Sequence, residues 1–236
     1  MKPMRTVIFA KAPIPGLAKT RLIPALGACG AAELARKMLH HTVSKALAAN
    51  VGVVELCVTP TPSDPTWEAL DIAESVQWSD QGDGDLGARM ARASQRVIDA
   101  GESILLIGTD CPSLSHTHLQ QAAIALQHAD AVLHTTYDGG YALLGLNQFD
   151  ASLFTDMAWS TDRVAIETMC RLLELNWTVR SQRKLHDIDE PDDLQWLPAA
   201  WSTPVRKINK GVTDPSASVL QQMPCQQRQT LNTIFY

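Results

Sequence analysis

The residues of this chain that could do chemistry are carboxylates and cations set at the ends of apolar runs. Ser103 to Leu114 reads SILLIGTDCPSL, an apolar run that stops abruptly at Gly108-Thr109-Asp110-Cys111-Pro112. A carboxylate there suits a divalent-metal ligand in a transferase that handles phosphates; it equally suits a residue that turns the chain and caps the next helix. The stretch Lys11 to Leu22 (KAPIPGLAKTRL) carries three cations, Lys11, Lys19 and Arg21, around Gly16. Such a loop can grip a diphosphate or triphosphate by charge and by several hydrogen bonds at once, or it can be a solvated basic loop. It is not a Walker loop, because GxxxxGK[ST] is absent. Gln81-Gly82-Asp83-Gly84-Asp85-Leu86-Gly87 has three glycines in seven residues, which suits either a cradle for a flat base and its phosphates or a plain turn. Asp138-Gly139-Gly140-Tyr141 can hold Asp138 toward a substrate or be a β-turn. In Asp187-Ile188-Asp189-Glu190-Pro191, Asp187 or Asp189 could be a second metal ligand or a helix cap.

These groups need a scaffold. Ile104 to Ile107 lacks alternation, as expected for a strand buried on both faces of a parallel sheet, and an open α/β sheet binds ligands outside the carboxyl ends of its strands. The pattern predicts strands at 5–10, 53–59, 76–78, 104–107, 131–135, 142–146 and 177–184. Helices are expected at 30–50, 66–73, 88–100, 116–128 and 162–175, the last capped by Ser160 or Thr161, with a short helix after Asp187 that has Pro191 in its first turn.

Composition limits the function. The 236 residues suffice for one large α/β domain over 1–200, followed by an extension, 201–236, whose prolines and glutamine-rich QQMPCQQRQ do not continue the sheet. Its aromatic end could dock on the body or on a partner subunit, so a homo-oligomer is compatible with the sequence. Hydrophobic residues are 45%, charged residues 19% and the net charge −5, which describes a globular protein without the basic surface that a nucleic-acid partner would need. The five cysteines are scattered and lack a CxxC pair, which suggests neither a disulfide framework nor a zinc site. Cys111 reads as a small core residue, with a nucleophile as the alternative. Neighbouring His40 and His41 point apart on a helix and read as surface or core histidines. The N-terminal apolar run is too short for a signal peptide and no stretch could span a bilayer, so a cytoplasmic protein without a membrane partner is expected.

Six segments in order, FAKAPIPGLAKTRL (9–22), QGDGDLGARM (81–90), IGTDCPSL (107–114), DGGYALLGL (138–146), WST (159–161) and DIDEPDDL (187–194), resemble a bacterial family of candidate glycosyltransferases associated with arsenosugar biosynthesis. The resemblance covers residues 5–196. It implies the GT-A or nucleotide-diphospho-sugar transferase superfold: a three-layer α/β/α domain with a mostly parallel central sheet, related more distantly to guanylyltransferases. It also implies that Asp110 binds Mg²⁺ or Mn²⁺, with Asp189 as the candidate second ligand. Nucleotide and phosphates would fall to Lys11, Gly16, Lys19, Arg21, Gln81, Asp85 and Gly87. Asp138 would be the catalytic base beside Asp110, with Tyr141, Trp159 and Ser160 on the acceptor side. The chain departs from the family at His134-Thr135-Thr136, where Gly-Pro-Ala is common, and at His41, where an aspartate is common. The expected activity is transfer of a glycosyl group from a nucleotide sugar to a small-molecule acceptor. Nucleotidyl transfer from an NTP is the alternative, and non-catalytic nucleotide binding a third reading.

Overall fold

The computed structural model describes residues 2–201. Strand β1 (Met4–Lys11) pairs in parallel with β2 (Val53–Thr59) on one side and with β4 (Ser103–Gly108) on the other. With β3 (Gln77–Asp80), β5 (Ala131–Thr136), β6 (Tyr141–Leu146) and β7 (Val179–Leu185) they form a seven-stranded sheet in the order β3-β2-β1-β4-β6-β5-β7. Only β6 runs against its neighbours. The sheet is therefore mostly parallel, as expected.

Successive residues of the central strands serve opposite cores, which is why they are apolar without alternation. Leu105 and Ile107 pack with Leu39 and Val43 of α1 (Ile23–Ala49) and Leu119 and Ala122 of α3 (His116–Ala125). Ile104 and Leu106 join Met90, Ala93 and Val97 of α2 (Leu86–Asp99) and Leu172 of α4 (Val164–Glu174). One buried charge crosses this packing. Glu55, 2% exposed, accepts hydrogen bonds from Arg5 at 3.0 Å, Ser79 at 2.6 Å and Arg96. Burial alone would raise its carboxyl, but the hydrogen bonds from Arg96 and Ser79 and the two guanidinium charges outweigh burial and hold it below the usual range.

Several element boundaries differ from the sequence expectation. Helix α1 begins at Ile23 rather than Gly30, with a proline in its first turn and a break at Gly27 (φ 71°, ψ 165°). These two breakers hide the first turns from a periodicity argument. The helix expected over 66–73 is a single 3-10 turn, Pro65–Trp67, whose start Asp64 caps by accepting from Thr66 N at 2.9 Å. Neither Ser160 nor Thr161 caps α4. Ser160 has φ 63°, the Thr161 hydroxyl donates to Ala158 O at 2.8 Å, and the helix starts after Arg163. The acidic segment forms the expected short helix with Pro191 at its start, as a 3-10 stretch, Pro191–Trp196.

Among the described residues no helix is long and apolar enough to cross a membrane. The chain divides after Pro198, and of its second unit only the 3-10 turn Ala199–Trp201 is described. The expectations for 202–236 lie outside the described residues.

Candidate functional site

The carboxyl ends of β1 and β4 and the opening of β6 face one cleft of about 890 Å³. The parallel strands place their following loops on this edge, and the antiparallel β6 brings Tyr141 to the same edge by starting there. Lys11, Lys19, Arg21, Gln81, Asp110, Asp138, Tyr141, Trp159, Ser160 and Asp189 all line the cleft. Gly16, Asp85 and Gly87 do not.

The loop after β1 delivers Lys19 into the centre of this cleft. Its Nζ lies 2.6 Å from Asp110 Oδ1, 2.6 Å from Asp189 Oδ1 and 2.7 Å from Ile188 O. Burial would depress the ammonium, but the two carboxylates outweigh it and hold it above the ordinary lysine range. The two acidic segments are locked together through the main chain, since Ile188 N donates to Asp110 O at 2.8 Å. Asp193 fixes the second segment by accepting from Asp189 N at 3.0 Å and Glu190 N at 2.7 Å. Arg21 makes an exposed pair with Glu190 at 3.3 Å and stands at the rim.

A second pair of carboxylates, Asp138 and Asp187, lines the same cleft. Asp138 Oδ1 accepts from the Thr136 hydroxyl at 2.5 Å and from Gly140 N at 2.9 Å, so the tight DGGY loop fixes its direction. Asp187 stands beside it, and burial followed by repulsion from Asp138 pushes its carboxyl up to about 7. The residues just before each acid stack: Tyr137 lies 4.0 Å from His186, and His186 lies 4.0 Å from Trp196. That stack joins the two acid-bearing loops.

The glycine-rich segment is tied down by its own helix. Gln81 is buried, and its amide donates to Ala10 O at 3.1 Å and Cys57 O at 2.9 Å, holding the ends of β1 and β2. Asp85 caps α2 by accepting from Ala88 N at 2.8 Å. Gly87 serves packing, because a Cβ there would lie 2.4 Å from Phe154 O and 2.6 Å from Trp159 Nε1. Asp85 and Gly87 thus position the wall that carries Trp159, while Gly16 (φ 83°) turns the β1 loop. Arg89, which also lines the cleft, escaped the sequence reading; it donates to Gly84 O at 2.9 Å and Gln81 Oε1 at 3.3 Å. Its signal was present in the one arginine within the first turn of a helix that follows a glycine-rich loop.

Cys111 is buried and its thiol donates to His186 O at 3.1 Å. Burial pushes that thiol up, which suits a packing residue and not a nucleophile. His41 Nε2 lies 3.0 Å from Pro112 O, on the far side of the Asp110 turn.

Among the described residues no three histidine, cysteine or acidic side chains are grouped as a ready metal cage. The set that does converge, two carboxylates and a main-chain oxygen around the Lys19 ammonium, is all hard oxygen. That donor chemistry fits Mg²⁺ or Mn²⁺, which take few protein ligands and complete their shells with phosphate oxygens and water.

A family model described as an uncharacterized protein conserved in bacteria (DUF2064) matches residues 42–161, just over half of the chain. The chain belongs to this family. The matched span contains Asp110, Asp138, Tyr141, Trp159 and Ser160, while the β1 loop and Asp187 to Asp189 lie outside it. The chain is also similar to a solved protein of Desulfovibrio desulfuricans G20, named as a candidate nucleotide-diphospho-sugar transferase. The two are 27% identical over 94% of this chain and 95% of that one, with a TM-score of 0.78. The 4-diphosphocytidyl-2C-methyl-D-erythritol synthase of Anaerococcus prevotii DSM 20548 shares the fold at 14% identity and TM-score 0.52, over 83% of this chain and 94% of that one. A nucleotidyl transferase of Methanothermobacter does so at 18% identity and TM-score 0.51, over 82% and 95%. No curated protein matches the chain. The fold is thus that of nucleotide-sugar transferase-like proteins.

Proposed function

We propose that this chain is a transferase that binds a nucleotide sugar in the cleft and passes its glycosyl group to a hydroxyl of a small-molecule acceptor. The observation that carries this reading is the convergence, in one cleft, of the β1-loop cations, of Asp110 and Asp189 around Lys19, and of Asp138 and Asp187. Lys11, Lys19 and Arg21 supply charge and donors for a diphosphate, and their interactions strengthen as charge builds on the departing group. Mg²⁺ or Mn²⁺, held by Asp110 and Asp189, would add further neutralisation of that diphosphate. Asp138, aimed by Thr136 and Gly140, takes the proton of the acceptor hydroxyl as it attacks the anomeric carbon. Tyr141, Trp159 and Ser160 line the acceptor wall.

Nucleotidyl transfer is the second reading, and one feature favours it: Lys19-Thr20-Arg21-Leu22, in the loop after the first strand, resembles the guanylyltransferases. The two differ in which bond breaks, the anomeric carbon–oxygen bond or the bridge between α and β phosphorus. The protein is incubated with nucleotide sugars and with NTPs in Mn²⁺, and the released group is identified. Nucleoside diphosphate from a nucleotide sugar is expected; pyrophosphate from an NTP would replace this reading with the second.

A further inference from the structure

The Lys19 ammonium has three donors, and all three are taken: two carboxylate oxygens and a main-chain oxygen lie within 2.7 Å of it. It therefore sits at the point where the donor set converges. A metal bound at its usual distance of about 2.0–2.2 Å from those same oxygens would overlap the ammonium. Lysine and metal must therefore exclude each other.

The two partners differ in accessibility. The Lys19 side chain is 9% exposed, whereas Asp110 is 49% and Asp189 40% exposed, so the acids are open to the cleft while the lysine is sealed against them. The Lys19 backbone is left-handed (φ 47°, ψ 48°), a conformation that a side-chain-bearing residue holds only when its surroundings enforce it. Its side chain is held by the ion pairs to Asp110 and Asp189. Another anion in the same cleft could compete for it.

Resting on the reading that this cleft takes a nucleotide diphosphate and a divalent metal, we propose that Lys19 is a displaceable internal cation. It fills the Asp110–Asp189 site until a diphosphate draws it away, so that metal and diphosphate bind as a coupled pair. Each ligand then raises the affinity of the other by the same factor. The free protein keeps its metal site neutralised, and a metal ion alone does not enter it readily.

The test uses Mn²⁺ alone, followed by the electron paramagnetic resonance of the free ion, and inorganic pyrophosphate alone in EDTA, followed by calorimetry. Wild type, Lys19→Gln, Lys19→Met and Asp110→Ala are compared after circular dichroism shows that they fold; the two lysine variants guard against one failing. Both lysine variants should bind Mn²⁺ at least tenfold more tightly than wild type and pyrophosphate at least threefold more weakly. A merely structural lysine would weaken both. Equal Mn²⁺ affinity in wild type and the lysine variants, with loss in Asp110→Ala, overturns the displaceable cation and leaves the metal site standing. Mn²⁺ binding that is absent throughout, or unchanged in Asp110→Ala, overturns both.

Discussion

Replacing Asp138 by asparagine is expected to lower turnover about a hundredfold to ten-thousandfold, the range for loss of a positioned general base, with donor affinity unchanged within twofold. The asparagine oxygen can still accept from Thr136 and Gly140 N, which now hold Asp138 at 2.5 and 2.9 Å, so the loop keeps its shape. It cannot accept the acceptor proton. Because the diphosphate is assigned to Lys11, Lys19 and Arg21 and the metal to Asp110 and Asp189, donor binding does not draw on Asp138. Steady-state kinetics and a donor titration check the two halves separately, and turnover within threefold of wild type would remove Asp138 from the role.

The second large effect is on stability. Gly139 has φ 93°, and a Cβ there would lie 2.1 Å from Asp162 O and 2.4 Å from Asp162 C and Cα. Neither side can move away easily, because Ala165 N donates to Gly139 O at 2.8 Å and ties the loop to the start of α4. Gly139→Ala should therefore cost about 3 kcal/mol or more, through both the strained backbone and the clash. For a domain of this size that is a fall in Tm of roughly 10 °C. Gly140→Ala is the control: the nearest atoms to its Cβ would be the Thr136 hydroxyl and the Asp138 carboxylate, at 3.2 and 3.3 Å, so it should cost less than half as much. Thermal melts of the two variants check this, and equal losses would contradict the packing argument.

How far these features could be read from the sequence depends on how local their causes are. Strand β4 was legible because Ile104 to Ile107 feed two cores in alternation, which leaves a continuous apolar run in the sequence. The cleft edge was legible because Asp110, the β1 loop and Asp138 each follow a strand directly. Other features had no local trace. Lys19 meets Ile188 and Asp189 across 169 and 170 positions, and no pattern in the β1 loop says which carboxylates it will find. Asp187 was read as a metal ligand or a cap, while its neighbour in the fold is Asp138, brought there by the parallel pairing of β5 with β7. The glycine-rich segment was ambiguous for the opposite reason. Asp85 and Gly87 look like ligand-binding residues, yet a helix cap and a close approach of Trp159 account for them.

The proposed transfer stands on a cleft that binds a nucleotide diphosphate with a metal held by Asp110. It is tested most directly by thermal shift on wild type and Asp110→Ala, using nucleotide sugars and NTPs with and without Mn²⁺. A ligand at about 100 times its Kd stabilises the native state by about 2.7 kcal/mol, which raises Tm by several degrees. The expected result is a Mn²⁺-dependent rise with a nucleotide sugar that disappears in Asp110→Ala. A rise that needs no metal and survives Asp110→Ala, or no rise with any nucleotide from folded protein, would contradict the claim.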